Sequence, residues 1–190
     1  MKSKRKLKTA TQIFKMLITP FLHDGMTAVD CTVGNGHDTL FLAEQTGQGG
    51  KVYGFDVQAS AIEATQKKIN EHVGIAPVEL FLKGHENLKA CVDEPVDLVV
   101  YNLGYLPRHD KSITTMTDTT LESVKQAMEI IKPGGVVSVI AYPGHDEGAN
   151  ELAGLSKFLR EIDQTEFDVL KSEFINQKNR PPILFLIEKR

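Results

Sequence analysis

The chain has 190 residues, 41% of them hydrophobic and 25% charged, with a net charge of −3. That length suits one compact domain over residues 1–190, and the balance of residue types excludes a disordered or collagen-like chain. The two cysteines, Cys31 and Cys91, stand far apart with no CxxC pair, which excludes a disulfide framework, and no apolar run approaches the ~20 residues of a membrane helix.

No charged segment followed by an apolar run and a cleavage site opens the sequence, so a reducing, cytoplasmic setting is expected. The charge is unevenly spread. Lys2, Lys4, Arg5, Lys6 and Lys8 fall in the first eight residues with no acid among them, and removing those five cations from the total of −3 leaves −8 on the remainder. Residues 1–8 read either as a solvated terminus or as a basic arm that grips phosphates.

Thr11 to Leu22 carries apolar residues at helical spacing, and Pro20 is expected to end or kink that helix. The first strand runs from Thr27 to Thr32, and a glycine-rich turn then leads into a helix near His37 or Asp38. Strands follow at Lys51–Asp56, Val78–Lys83 and Val96–Asn102, with a helix over Ala59–His72 returning from the first of these. A polar loop, Gly104–Asp118, precedes a helix from about Thr119 to Ile131. Lys132, Pro133, Gly134 and Gly135 read as the turn into a strand at Val136–Tyr142. A helix over roughly Glu147–Glu161 and strands at Asp168–Ile175 and Ile183–Glu188 complete the chain. Strands alternating with helices imply an α/β fold with a parallel sheet. Two consecutive strands at the end imply one antiparallel member, giving seven strands, six parallel and one reversed.

In such a sheet ligands bind beyond the carboxyl ends of the strands, near the switch in strand order. The first turn reads Asp30-Cys31-Thr32-Val33-Gly34-Asn35-Gly36-His37-Asp38-Thr39. Gly34 and Gly36 let the backbone approach a ligand, and a helix amino terminus follows. Thr39 stands where a dinucleotide fingerprint needs its third glycine, and Asp30 is an acid that a pyrophosphate would not favour. A ligand that mixes cations with a carboxylate, such as S-adenosylmethionine, suits this set. Asp56 closes the second strand, where an acid can accept from both ribose hydroxyls, or else cap the following helix.

These features are similar to those of the class I S-adenosylmethionine-dependent methyltransferases. The blocks Thr32–Thr39, Asn102-Leu103-Gly104-Tyr105-Leu106-Pro107, Asp110–Thr115 and Tyr142-Pro143-Gly144-His145 resemble the rRNA methylase-like family of the MnmM or YtqB type. One departure is Arg108-His109, where that family usually has two glycines. The resemblance implies a Rossmann-like seven-stranded sheet with helices on both faces. It also implies methylation of 5-aminomethyl-2-thiouridine at the tRNA wobble position, with the anticodon stem-loop of tRNA as partner. The alternatives are methylation of rRNA, a protein amide or a small-molecule amine, or a binding module without turnover.

Asn102 and the Leu103 backbone can accept N–H bonds from a neutral amine and aim its lone pair, while Tyr105 offers a stacking face. Asp110 is a candidate proton acceptor, with ordering of its own loop as the other reading. Expected cofactor contacts are Asp30, Gly34, Asn35, Gly36, His37, Asp38, Thr39, Asp56, Gln58, His85, Glu86 and Asn102. Expected substrate contacts are Tyr105, Lys111, Ser112, Thr114, Thr115, Tyr142 and His145. His37, His85, His109 and His145 all follow strands and should gather at one rim, but their spacing matches no ligand pattern, so no metal is expected. No membrane contact is expected, and a homodimer is compatible with the reading.

Overall fold

The computed structural model describes residues 9–104 and 115–190. Its seven strands are β1 (Thr27–Asp30), β2 (Lys51–Asp56), β3 (Val78–Leu82), β4 (Val96–Asn102), β5 (Ile131–Ala141), β6 (Phe167–Ser172) and β7 (Ile183–Lys189). They form one sheet in the order β3-β2-β1-β4-β5-β7-β6. The pairs from β3 to β5 are parallel, and β7 runs antiparallel to both β5 and β6, so β7 is the one reversed strand.

Helices α1 (Ala10–Ile18), α2 (His37–Thr46), α3 (Ala59–Asn70), α4 (Leu88–Cys91), α5 (Thr117–Ile130) and α6 (Asp146–Arg160) cover the sheet. Alternation along each strand sends successive side chains to opposite faces. On one face Ala28, Val52, Leu98 and Val100 pack against Phe14 and Ile18 of α1 and Leu42 and Ala43 of α2. On the other Val29, Phe55, Val99 and Tyr101 meet Leu88 of α4, Val124 of α5 and Leu155 of α6. Each large side chain buried this way stabilises the fold by about 1.5–3 kcal/mol, before the conformational entropy lost in ordering it.

Helix α1 opens on a capping box in which Thr9 and Gln12 satisfy one another's backbone amides. It ends at Ile18, and Pro20 sits in the first turn of a short 3-10 segment, where it sacrifices no helical N–H bond.

Several boundaries differ from expectation. The turn expected at Lys132–Gly135 lies inside β5, which starts at Ile131 immediately after α5. Ile131 pairs with Val96, the register then shifts, and Val136 pairs with Leu98. Four residues of β5 there lie opposite one of β4, a bulge that tolerates Pro133, with Lys132 Nζ donating to Asp97 Oδ2 at 2.8 Å. The strand expected to reach Ile175 stops at Ser172, which pairs with Leu184 near the start of its partner β7, and Ile175 is 92% exposed. Short α4, preceded by a 3-10 turn at His85–Asn87, was not expected, because four residues show no helical period.

The strand order reverses between β1 and β4. The crevice at their carboxyl ends is therefore where a fold of this type places its ligand.

Candidate functional site

The β1–α2 turn is built around two carboxylates. Asp30, 1% exposed, accepts from the Thr32 amide at 3.0 Å and the Thr39 hydroxyl at 2.7 Å. Burial, and then the nearby Asp38 charge, raises the Asp30 carboxyl to about 7. Asp56, at the end of β2, accepts from the Gly34 amide at 2.8 Å and the Gln58 amide at 2.9 Å. Each carboxylate oxygen has a second lone pair, so these bonds leave Asp56 acceptor capacity for hydroxyls.

Gly34 and Gly36 take φ of 52° and 71°. Gly36 also packs so closely on α3 that a Cβ there would lie 2.5 Å from Thr65 Oγ1. Thr65 Oγ1 donates to the Gly34 carbonyl at 3.3 Å. Lys68, one turn further along α3, donates to the Asn35 carbonyl at 2.6 Å and lies 3.1 Å from His37 Nδ1. Helix α3 thus braces the turn from behind and keeps the start of α2 in place.

Asn102 enters from β4 and its backbone is fixed twice over. Its amide donates to Thr32 Oγ1 at 2.7 Å, and the next amide, that of Leu103, donates to the Ile140 carbonyl at 2.9 Å. The Asn102 side-chain Nδ2 donates to Asp38 Oδ2 at 3.4 Å, and Lys15 Nζ stands 3.5 Å from Asp38 Oδ1. Asp38 lies in the first turn of α2, where the helix dipole favours an anion. Beyond Asn102, Gly104 and Thr115 hold one another: Gly104 N donates to Thr115 Oγ1 at 2.9 Å, and Thr115 N donates to the Gly104 carbonyl at 3.2 Å. Thr115 Oγ1 donates in turn to Glu151 Oε2 at 3.1 Å. Burial raises the Glu151 carboxyl, against the lowering by its two threonine donors.

The sequence model of the rRNA methylase family matches residues 52–188. A chloroplastic tRNA (mnm5s2U34)-methyltransferase of Arabidopsis thaliana is 35% identical over 192 residues, covering 96% of this chain and 70% of the relative. A crystal structure from Clostridium thermocellum, described as an rRNA-methylase, superposes with a TM-score of 0.94 at 42% identity, covering 98% of this chain and 100% of that one. A methyltransferase from Streptococcus mutans, crystallised in complex with SAH, superposes with a TM-score of 0.88 at 34% identity, covering 97% and 99% of the two chains. The chain belongs to the rRNA methylase family. Its sheet is the Rossmann-like sheet of methyltransferases, as the resemblance implied.

Within this family fold the expected residues divide into groups. Asp30, Gly34, Asn35, Gly36, His37, Asp38, Thr39, Asp56, Gln58 and Asn102 are gathered at the carboxyl ends of β1, β2 and β4. Tyr142 follows β5 beside them, hydrogen-bonded to the Thr11 side chain and close enough to Asp38 to feel its charge. His145 caps α6, its Nδ1 accepting from the Gly148 amide at 3.0 Å. Tyr105, Asp110, Lys111, Ser112 and Thr114 lie outside the described residues, as do Arg108 and His109.

His85 departs from the expected histidine rim. Its ring is buried, set edge-on to Tyr101 with centroids 5.7 Å apart, and burial lowers its pKa to about 4. Among the described residues no group of three or more His, Cys, Asp or Glu could hold a metal ion.

The sequence reading missed Lys15, Lys68, Thr65 and Glu151. All four reach the site from helices whose sequences look like ordinary amphipathic surfaces, and no local pattern marks them.

Proposed function

We propose that this protein transfers a methyl group from S-adenosylmethionine to the exocyclic amine of 5-aminomethyl-2-thiouridine at the tRNA wobble position. The product is 5-methylaminomethyl-2-thiouridine, and the setting is a reducing cytoplasm. The observation that carries the reading is Asn102, a polar residue closing a buried parallel strand within hydrogen-bond reach of the first turn of α2. The similarity to the Arabidopsis enzyme over 96% of the chain supports the choice of substrate.

The residues present fit the donor. A turn with two left-handed glycines offers backbone at a helix amino terminus, and acids stand at the ends of β1 and β2. Gly34, Asn35, Gly36, His37, Asp38 and Thr39 would hold its amino-acid end beside Asp30, Asp56 and Gln58 the ribose, and the His85–Glu86 backbone the adenine. When bound, the donor supplies an electrophilic methyl group on a positive sulfur.

The chain's own contribution is placement. The Asn102 carboxamide oxygen and the Leu103 carbonyl accept N–H bonds from the neutral amine and direct its lone pair, an alignment worth roughly 7–11 kcal/mol when complete. Tyr105 stacks on the base, Asp110 accepts the displaced proton, and Lys111, Ser112, Thr114, Thr115, Tyr142 and His145 contact the RNA. Those assignments for residues 105–114 rest on their place in the chain. The catalytic unit is a single domain, with residues 1–8 as a basic arm for tRNA phosphates.

Mass spectrometry of nucleosides from tRNA incubated with the protein and labelled donor tests the proposal. Label in the wobble 5-methylaminomethyl group supports it. Label confined to ribosomal RNA, protein or small-molecule amines refutes it.

A further inference from the structure

Asn102 presents a problem of orientation. The two ends of a carboxamide are nearly the same size, and rotation by half a turn exchanges an acceptor for a donor. Only the acceptor end can receive an N–H bond from an amine whose lone pair must stay free.

Asp38 settles the choice. An ionised carboxylate accepts and cannot donate, so the end of Asn102 that faces Asp38 Oδ2, 3.4 Å away, is its NH2. In the flipped arrangement two acceptors would face one another. The device works only while Asp38 stays charged and pointed at Asn102, and the cation that faces its other oxygen comes from a different helix on the same face of the sheet. Lys15 Nζ, on α1, lies 3.5 Å from Asp38 Oδ1 and 4.2 Å from the centre of the Phe41 ring. The pair is partly shielded, with side-chain exposures of 33% for Lys15 and 14% for Asp38. The aromatic face under Lys15 limits where its ammonium can sit.

We infer that Lys15 is a positioning residue for methyl transfer: it holds the Asp38 carboxylate, which keeps the NH2 of Asn102 turned toward itself and leaves the amide oxygen for the incoming amine. The inference rests on the reading of Asn102 in the proposed function.

The test compares the full-length protein with Lys15→Met and Lys15→Arg. Four quantities are read: kcat and KM for tRNA at saturating S-adenosylmethionine, donor affinity by calorimetry, and the side-chain NH2 signals of Asn102 in 15N-labelled protein, identified by their loss in Asn102→Asp. Lys15→Met is expected to lower kcat about tenfold, the scale of a small misplacement, with KM for tRNA within twofold and donor affinity falling by less than kcat, since Asp38 also faces the donor. It should also move the Asn102 signals, and Lys15→Arg should restore both. Should Lys15→Met fail to fold, Lys15→Gln carries the same expectation. Unchanged kcat with unmoved Asn102 signals overturns the inference. So does a rise in KM alone, which would make Lys15 a phosphate contact. If the wild-type protein methylates no RNA, the proposed function fails, and the Asn102 signals then decide the Lys15–Asp38–Asn102 arrangement by themselves: movement in Lys15→Met upholds it and constancy overturns it.

Discussion

Replacing Gly36 by alanine tests whether the ligand turn is braced from behind by α3. The backbone at Gly36 has φ 71° and ψ 19°, a left-handed conformation that costs an L-residue roughly 1–2 kcal/mol. The new Cβ would also lie 2.5 Å from Thr65 Oγ1 and 2.8 Å from its Cγ2, and Thr65 is fully buried and cannot swing aside. Overpacking of that kind costs about 1–3 kcal/mol, so Gly36→Ala should destabilise by about 2–5 kcal/mol in total. Thr65→Ala removes both close atoms and the 3.3 Å bond to the Gly34 carbonyl. In that background Gly36→Ala should cost little more than its backbone share, about 1–2 kcal/mol. Urea denaturation of the four proteins, with equal m-values as the check on two-state behaviour, then gives a coupling of about 1–3 kcal/mol. An equal cost of Gly36→Ala in both backgrounds would refute the bracing argument. Donor affinity measured on the same proteins should fall with Gly36→Ala, because the Gly34 to His37 backbone is what shifts.

Asp30 and His85 should impose opposite pH slopes on stability. A carboxyl raised from 3.8 to about 7 leaves the native state holding a proton that the unfolded chain has lost, so this group's contribution falls as pH rises across that window. A histidine lowered from 6.5 to about 4 does the reverse, and its contribution rises between those values. Relative to the wild-type protein, Asp30→Asn should therefore gain more stability from pH 4 to 6.5 in urea melts, and His85→Leu less; parallel profiles in all three proteins would count against both shifts. Because a cation beside Asp30 favours its charged form, donor binding near pH 7 should release up to about half a proton, seen as buffer-dependent heats in calorimetry. Asn102→Ala should lower kcat about 10²- to 10³-fold while donor affinity stays within a few-fold; proportional loss of both would make Asn102 a donor ligand only. Deleting residues 1–8, which carry five cations, should weaken tRNA binding and flatten its dependence on salt concentration, with donor binding unchanged.

Much of the site was legible because it is local in sequence. Asp30, Gly34, Gly36, Asp38 and Thr39 lie within one strand–turn–helix unit, and their types and spacing already count against a dinucleotide turn. Asp56 and Asn102 were found because each is the polar residue at which a buried strand stops. The β5 bulge was missed because Lys132-Pro133-Gly134-Gly135 reads as a turn by every local rule. Only the pairing of Ile131 with Val96 makes it part of a strand.

The chain order and number of strands and the reversal of the last one follow from the sequence alone, because periods of two and of three to four residues are set by near neighbours. The links that hold the site together follow only from the assembled sheet. Gly34 meets Asp56 across 22 residues and Asn102 meets Asp38 across 64, and contacts at such separations exist only once β1 lies between β2 and β4. Burial of the His85 ring and the reach of Lys15 to Asp38 were decided at that level too. Each depends on which element packs on which face of the sheet, and residues next to it in the chain carry no record of that.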